Sequence, residues 1–302
     1  MKKALILFAA AVACAIAVPA TAARYKTVKG SGNIVTETRN VGAFHAVEAG
    51  SIARVLVGDY PAGEVSVKAD DNILAYVKIA VDNGKLSIGM TDVSVQNAEL
   101  TVCVPASGVT QLETRGVASL SIETPLAGVT FVKAGGASKI AATNPLKGND
   151  AVIESSSTAR IAIESLSGTV ARIAAGGASK ICLNGELTGR DVSILSSSTS
   201  RIVAKMPLVC DNATVECNGA SDISIRIKCT DCRIKTSSTA RTTAELNVAT
   251  LDVKNSGAAK ITLSGTASVC RIDAGGTSRI DATALKSKQW DTIIGKAASL
   301  KR

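Results

Sequence analysis

Between residues 112 and 282 apolar and polar positions alternate with period two, and the alternation itself recurs about every 20 residues. Period two marks a strand with one buried face. The recurrence has fixed anchors: Leu120, Ile140, Ile161, Ile181, Ile202, Ile223, Thr242, Ile261 and Ile280 follow one another at 20, 21, 20, 21, 21, 19, 19 and 19 residues. Eight residues before each anchor from Ile140 onward stand Val132, Ile153, Ile173, Ile194, Val215, Ile234, Val253 and Ile272, all β-branched. These columns point inward, and the Arg, Lys, Glu, Asp, Ser and Thr between them face water.

A corner signature precedes each anchor. It reads AGGASK at 134–139 and 175–180, SSSTAR at 155–160, SSSTSR at 196–201, and then varies through CNGASD, TSSTAR, NSGAAK and AGGTSR. Glycine permits a positive φ or a close backbone approach, and Ser and Thr hydroxyls can bond backbone groups or one another. A unit of about 20 residues holds two or three short strands and their corners, but no additional helix. Successive units must then stack in parallel, and parallel connections are right-handed. The sequence therefore predicts an all-β fold, a right-handed parallel β-helix (β-solenoid) with 19–21 residues per coil. Eight intervals at about 4.8 Å per rung give a rod about 38 Å long.

Residues before the array are strand-rich but less regular, as in ARVLV (53–57), EVSVKA (64–69), KLSIGM (85–90) and ELTVCV (99–104). Asn83-Gly84 marks a hairpin turn, and residues 50–55 form a decayed corner motif. The expected division is a signal peptide at 1–22, irregular N-terminal coils at 23–110, regular repeats at 111–285 and a C-terminal cap at 286–302 carrying Trp290.

The signal peptide rests on Lys2 and Lys3, the apolar run from Ala4 to Val18 and the small residues around Ala22. Lipidation at Cys14 is disfavoured, because Ala11-Val12-Ala13 matches such sites poorly and apolar residues continue past the cysteine. No later stretch reaches the roughly 18 continuous apolar residues of a membrane helix. The chain is expected in the periplasm, on the cell surface or secreted. Removing residues 1–22 leaves a net charge of +7. With nucleic acid excluded by export, the partners this suggests are an acidic glycan, lipopolysaccharide or an envelope protein.

Gly30-Ser31-Gly32, Arg39, Phe44, Val55-Leu56-Val57, Asp70-Asp71-Asn72 and Gly84-Lys85-Leu86-Ser87-Ile88 precede the Gly/Ser-Ala-Ser-basic-Ile coils. In this order they resemble the head GIN domain family of autotransporter adhesins, a bacterial family otherwise described as a domain of unknown function. The likeness covers most of residues 30–283. It implies a secreted or surface β-helix with an adhesive role. The translocator barrel of a self-exporting autotransporter has no counterpart in the sequence, which weakens the adhesin label.

Two columns carry the candidate chemistry. Cys210 precedes the anchor Ile223 by the same interval as Cys229 precedes the anchor Thr242, which places both in one column of adjacent coils, at a separation a disulfide spans. Cys232 and Cys270 share an inward column two coils apart, too far to bridge, and Cys229-x-x-Cys232, the spacing of a redox or zinc half-site, has no second half-site or nearby histidine. Immediately before the anchors stand Lys139, Arg160, Lys180, Arg201, Asp222, Arg241, Lys260 and Arg279, seven of the eight basic. Stacked like charges repel. The column reads either as solvated side chains whose stems cover the corner or as a linear cationic stripe for an anionic polymer.

The alternative function is a polysaccharide-acting β-helix enzyme, a lyase or hydrolase. It would need a carboxylate pair or metal cluster and aromatic platforms. Aromatics are 2% of the chain, His45 is its one histidine, and the acids are scattered among coils. No catalytic residue, metal site or cofactor is expected.

Overall fold

The computed structural model describes residues 26–91 and 93–302. The expected signal peptide and Cys14 lie outside the described residues. Apart from one short 3-10 turn at Leu74–Tyr76, the regular structure described is β. The strands stack into a right-handed parallel solenoid of about 10 turns.

Register follows the columns of the sequence. Val132 pairs with Ile153, Ile153 with Ile173 and Ile173 with Ile194, while Ile140 pairs with Ile161 and Ile161 with Ile181. Each coil has a short face carrying the anchor, such as Arg160–Ile163, and a longer stretch closing the circuit, such as Leu166–Ala175. Inward residues merge into one apolar core running from Val47 to Leu285. The core is narrow, so β-branched and small side chains fill it where aromatics would not fit. Fully burying each Ile or Val contributes about 1.5–3 kcal/mol.

The corner between the two faces is the most constrained part of the coil. Ser51, Gly116, Gly136, Ser157, Gly177, Ser198, Gly219, Ser238, Gly257 and Gly276 occupy one position of successive rungs, all with φ between +56° and +75°. The carbonyls of all but the last accept the N–H of the residue after the next member, as in Thr158 N to Gly136 O at 2.9 Å and Thr199 N to Gly177 O at 2.9 Å. The stack is tight: a Cβ at Gly177 would sit 2.6 Å from the Ser157 carbonyl oxygen.

Inside the same corner runs a buried polar spine. Thr114 and Ser138 share a hydrogen bond of 2.8 Å, as do Ser196 with Ser200 and Thr236 with Thr242. Ser179 donates to Ser155 O, Ser200 to Ala175 O and Ser221 to Ser196 O. Each bond satisfies a group whose burial would otherwise cost free energy. Asn255 is the exception, its Nδ2 reaching two carbonyls while its Oδ1 lacks a partner.

The N-terminal section departs from simple repetition. Its strands are β1 (Lys26–Lys29), β2 (Ile34–Asn40), β3 (Ala46–Ala49), β4 (Arg54–Gly58), β5 (Glu64–Asp70), β6 (Val77–Asp82), β7 (Lys85–Met90), β8 (Val93–Gln96) and β9 (Leu100–Pro105). One rung is β3 with β4, and the decayed corner motif lies between them. The coil at 111–122 stacks on one side of that rung, and β7 with β9 on the other. Spatial order thus differs from chain order. On the far side, β6 pairs antiparallel with β7 through the Asn83-Gly84 turn, β5 antiparallel with β9, and β2 with β5. These strands cover the edges that the parallel stack would leave open.

At the other end, residues 286–302, the expected C-terminal cap, pair with the preceding rung. Arg279–Ile294 pairs with Lys260–Ala274, and Ser299–Lys301 returns to the anchor face opposite Arg279–Asp281. Trp290 stacks on the inward Cys270 column, half-buried, with the Arg302 guanidinium 5.5 Å from its ring centroid.

Gly177→Ala is expected to lower stability by about 1–3 kcal/mol, since it adds a Cβ at a positive φ against a carbonyl. Ser198→Gly, which relieves the same strain one rung on, should change it far less. Equal urea midpoints for Gly177→Ala and the parent would refute the corner account.

Candidate anion-binding face

The basic column exists as a physical ladder. Lys139 pairs with Arg160, Arg160 with Lys180, Lys180 with Arg201, Arg201 with Asp222, Asp222 with Arg241, Arg241 with Lys260 and Lys260 with Arg279. Seven steps of about 4.8 Å make it about 34 Å long. All seven basic side chains are exposed. The anchor strands hold them because each basic residue is one position from a buried Ile or Thr and must point outward.

The column lies between two rows of small residues. Ala137, Thr158, Ala178 and Thr199 flank it on the corner side, with Ala141, Ala162, Cys182 and Val203 beyond the anchors. The Thr158 and Thr199 hydroxyls are turned to backbone carbonyls of the preceding rung, each at 3.1 Å. The cations therefore stand above a flat shelf.

Pairing distinguishes this face from the rest. Arg201 meets Asp222 at 3.3 Å. Among the described residues, Lys139, Arg160, Lys180, Arg241, Lys260 and Arg279 have no acidic partner within 4.0 Å. The longer stretch of the coil does the opposite. There Arg172 meets Glu154 at 3.4 Å, Lys133 meets Glu113 at 3.9 Å and Arg271 meets Asp252 at 3.5 Å, each between adjacent rungs. At the end of the stripe, Asp281 is held below the usual carboxylate range by the Thr283 hydroxyl and N–H, then by Lys301 and Lys260.

Carboxylates come together at one place the spacing did not reveal. Glu48 and Glu113 pair across adjacent rungs although several repeats' worth of chain separates them. Lys85 reaches both, at 2.8 Å and 3.9 Å, and Arg115 also pairs with the buried Glu48. His45 sits exposed in the bend before β3, against Gly84. A shallow trough of about 600 Å³ by Arg233, Lys235, Asp252, Lys254, Arg271 and Asp273 carries mixed charge. Across the molecule, the Tyr60 hydroxyl donates to Glu123 at 2.7 Å, which with burial raises its pKa.

The two candidate disulfide residues are register neighbours: Val209 pairs with Lys228, and Cys210 N–H donates to Lys228 O at 3.0 Å. Both are thiols in this structure.

Scattered N-terminal motifs also converge. Asp70, buried at the end of β5, accepts the N–H groups of Gly32 and Glu99, both at 2.7 Å. Ser31 and Asn33 donate to Asp71, Asn72 donates to the Lys29 carbonyl, and Arg39 donates to the carbonyls of Val77 and Leu74. Together these bonds clamp the covering strands to the first rungs. Gly30 is required there, since a Cβ would fall 2.5 Å from Asn97 O.

A parallel solenoid covered at one end by antiparallel strands places the chain in the class of parallel β-helix proteins. The chain is a member of the family described as "Putative auto-transporter adhesin, head GIN domain", whose model matches residues 43–230 and 224–294. A crystal structure described as a "putative adhesin from Parabacteroides distasonis ATCC 8503" is similar at 15% identity and a TM-score of 0.55, over 89% of this chain and 100% of that one. It shares the fold. A "putative adhesin from Parabacteroides merdae ATCC 43184" is similar at 14% identity and a TM-score of 0.49, over 92% of this chain and 100% of that one. A "Putative lipid binding protein from Parabacteroides distasonis ATCC 8503" is similar at 15% and 0.49, over 91% and 98%. No curated protein matches the chain.

Glu48→Ala should cost about 1–2 kcal/mol, because Lys85 and Arg115 lose the carboxylate that joins two rungs. Glu113→Ala, at a more exposed position, should cost less. Chemical denaturation of the two variants tests that order.

Proposed function

We propose that this chain is an exported, non-catalytic envelope or surface interaction module that holds an acidic glycan, free or as part of lipopolysaccharide, along its cationic face. The observation that carries this reading is the contrast in pairing. Opposite charges stack on one part of the coil, whereas seven basic residues share one column on another, six of them without an acidic partner among the described residues. A mixed ladder was open to the same fold, so the repulsion in the column is a cost that a polyanion offsets. Rigid stacking adds a second advantage. The cations are held in line before binding, so several contacts form for one loss of ligand freedom. The description of its family and of a structure sharing its fold as adhesins supports a surface role.

The enzyme alternative has one specific place to stand, the adjacent carboxylates of Glu48 and Glu113. Lys85 bridges the two and Arg115 also pairs with Glu48, so both carboxylates are taken up in ion pairs within the protein rather than left open to flank a sugar. Turnover of an acidic polysaccharide that disappears in Glu113→Gln would favour that reading instead.

Binding of the mature protein to acidic glycans, at low and moderate salt, provides the test. Retention should weaken as salt rises. The fourfold variant Lys139→Glu, Lys180→Glu, Arg241→Glu, Lys260→Glu should lose most of it with unchanged circular dichroism. Asp222→Lys, which frees Arg201 and completes the column, should strengthen it. Unchanged retention in the fourfold variant would remove the stripe from consideration and leave a protein partner.

A further inference from the structure

The solenoid consists of two blocks that differ in coil length. From Lys139 to Asp222 the rungs advance by 20 or 21 residues; register shifts occur in ladders of this block and also where Lys260–Ala274 pairs with Arg279–Ile294. From Asp222 to Arg279 they advance by 19. There the strands Asp222–Thr236, Arg241–Asn255 and Lys260–Ala274 run unbroken for 15 residues each. The blocks meet where Arg201–Val209 lies on Asp222–Thr236. At that joint the ladder slips, with Val203 opposite Ser224 but Pro207 opposite Arg226. Pro207 also brings no N–H to the ladder. Stability in a solenoid is a sum of nearest-neighbour interfaces, so the slip weakens the joint between the blocks.

Three cysteines gather just past that slip. Cys210 belongs to the lower rung, while Cys229 and Cys232 belong to the upper one. The Cys229 thiol reaches the Asp231 carbonyl at 3.3 Å; Cys210 neighbours it across the rungs, where Cys210 N–H donates to Lys228 O at 3.0 Å. Cys210 and Cys232 are buried, whereas Cys229 is partly exposed.

We infer that these three thiols form an oxidisable site fastening the two blocks together, with Cys229 the entry thiol and the Cys210–Cys229 disulfide the product. Adjacent rungs bring the two Cα atoms to about 4.8 Å, inside the range a disulfide accepts. The oxidant is a small disulfide such as oxidised glutathione. The Cys229 thiolate attacks one of its sulfurs and expels the first glutathione thiolate, leaving a mixed disulfide. The Cys210 thiolate then attacks Cys229 Sγ and expels the second. Two protein thiols become one disulfide, and their two protons and two electrons leave with two molecules of reduced glutathione. Cys232 lies three residues along the same rung and is the thiol that takes the place of Cys210 when that one is missing.

Cys210 and Cys229 are protonated at neutral pH. The neighbouring Cys210 thiol pulls the Cys229 pKa down, but the Cys232 thiol and burial outweigh it and leave the group at about 12. The Cys210 thiol is pushed up by the Cys229 thiol and then by burial. Exchange proceeds through the thiolate, so the reaction should quicken as pH rises.

The test treats the full mature chain with oxidised glutathione at mildly alkaline pH and maps tryptic peptides without reduction. Trypsin separates Cys210, in 206–226, from Cys229 and Cys232, in 229–233. The expected result is one linked pair of these peptides and a higher thermal midpoint that reductant reverses. Because 206–226 also contains Cys217, Cys210→Ser is the control: it should abolish the link and convert 229–233 to an internal Cys229–Cys232 loop. Cys232→Ser should keep the link. Free thiols throughout, a link that survives Cys210→Ser, or an internal loop in the unaltered protein would each overturn the inference. None of these outcomes depends on whether the cationic face binds a glycan.

Discussion

The rest of the structure depends on one stacked corner. Ten rungs place a residue in the left-handed backbone region at the same point and link it to the next rung by an N–H to carbonyl bond. Only glycine or a small polar residue tolerates that geometry at close range. Once the corner is in register, the positions that follow are fixed by alternation. The spine of Ser, Thr and Cys turns inward, the basic residue turns outward, and the anchor returns to the core. A slip of one residue would reverse all three, putting cations inside. The cationic face and the polar spine are thus two sides of the same constraint.

The repeat was legible because the solenoid writes each coil in the same alphabet. Anchors, the inward β-branched column, the basic column and the relation of Cys210 to Cys229 all follow from counting residues between corners. What counting cannot reach is whatever breaks the count. Placing β7 and β9 beside β3 and β4 requires a strand order the chain does not follow, so the Glu48 to Glu113 pairing and the covering strands lay out of sight. The continuation of the ladder through Trp290 was obscured for a different reason. From Lys286 onward the basic residues and the single tryptophan make composition look like a change of structure, although the inward positions persist. The buried role of Ser155 and Ser196 was also hidden, because a run of three serines does not say which hydroxyl turns inward.

Electrostatics on this molecule is a matter of which column a residue joins. The same spacing of about 4.8 Å that lets Arg172 reach Glu154 forces Arg160 to face Lys139 and Lys180. A charge on a solenoid is never isolated; it acquires neighbours of fixed distance as soon as the coil closes. Asp222 shows how sensitive this is, since one acid neutralises Arg201 and divides the column into two runs.

The inverted strand order at the N-terminus also shapes how the chain can reach its fold. In the regular array each new coil closes a loop of about 20 residues on a rung already in place, a modest and repeated entropic cost. The first rungs have no such template. On one side β3 must find Gln111–Thr114, with all of β4 to β9 lying between them in the chain, and on the other it must find β7 beyond β4, β5 and β6. The longest loop closures are therefore concentrated in the segment made first on the ribosome, while the later coils can be added one at a time. The costliest closures thus fall where the molecule is least repetitive, while each coil of the regular portion closes only a short loop on its neighbour.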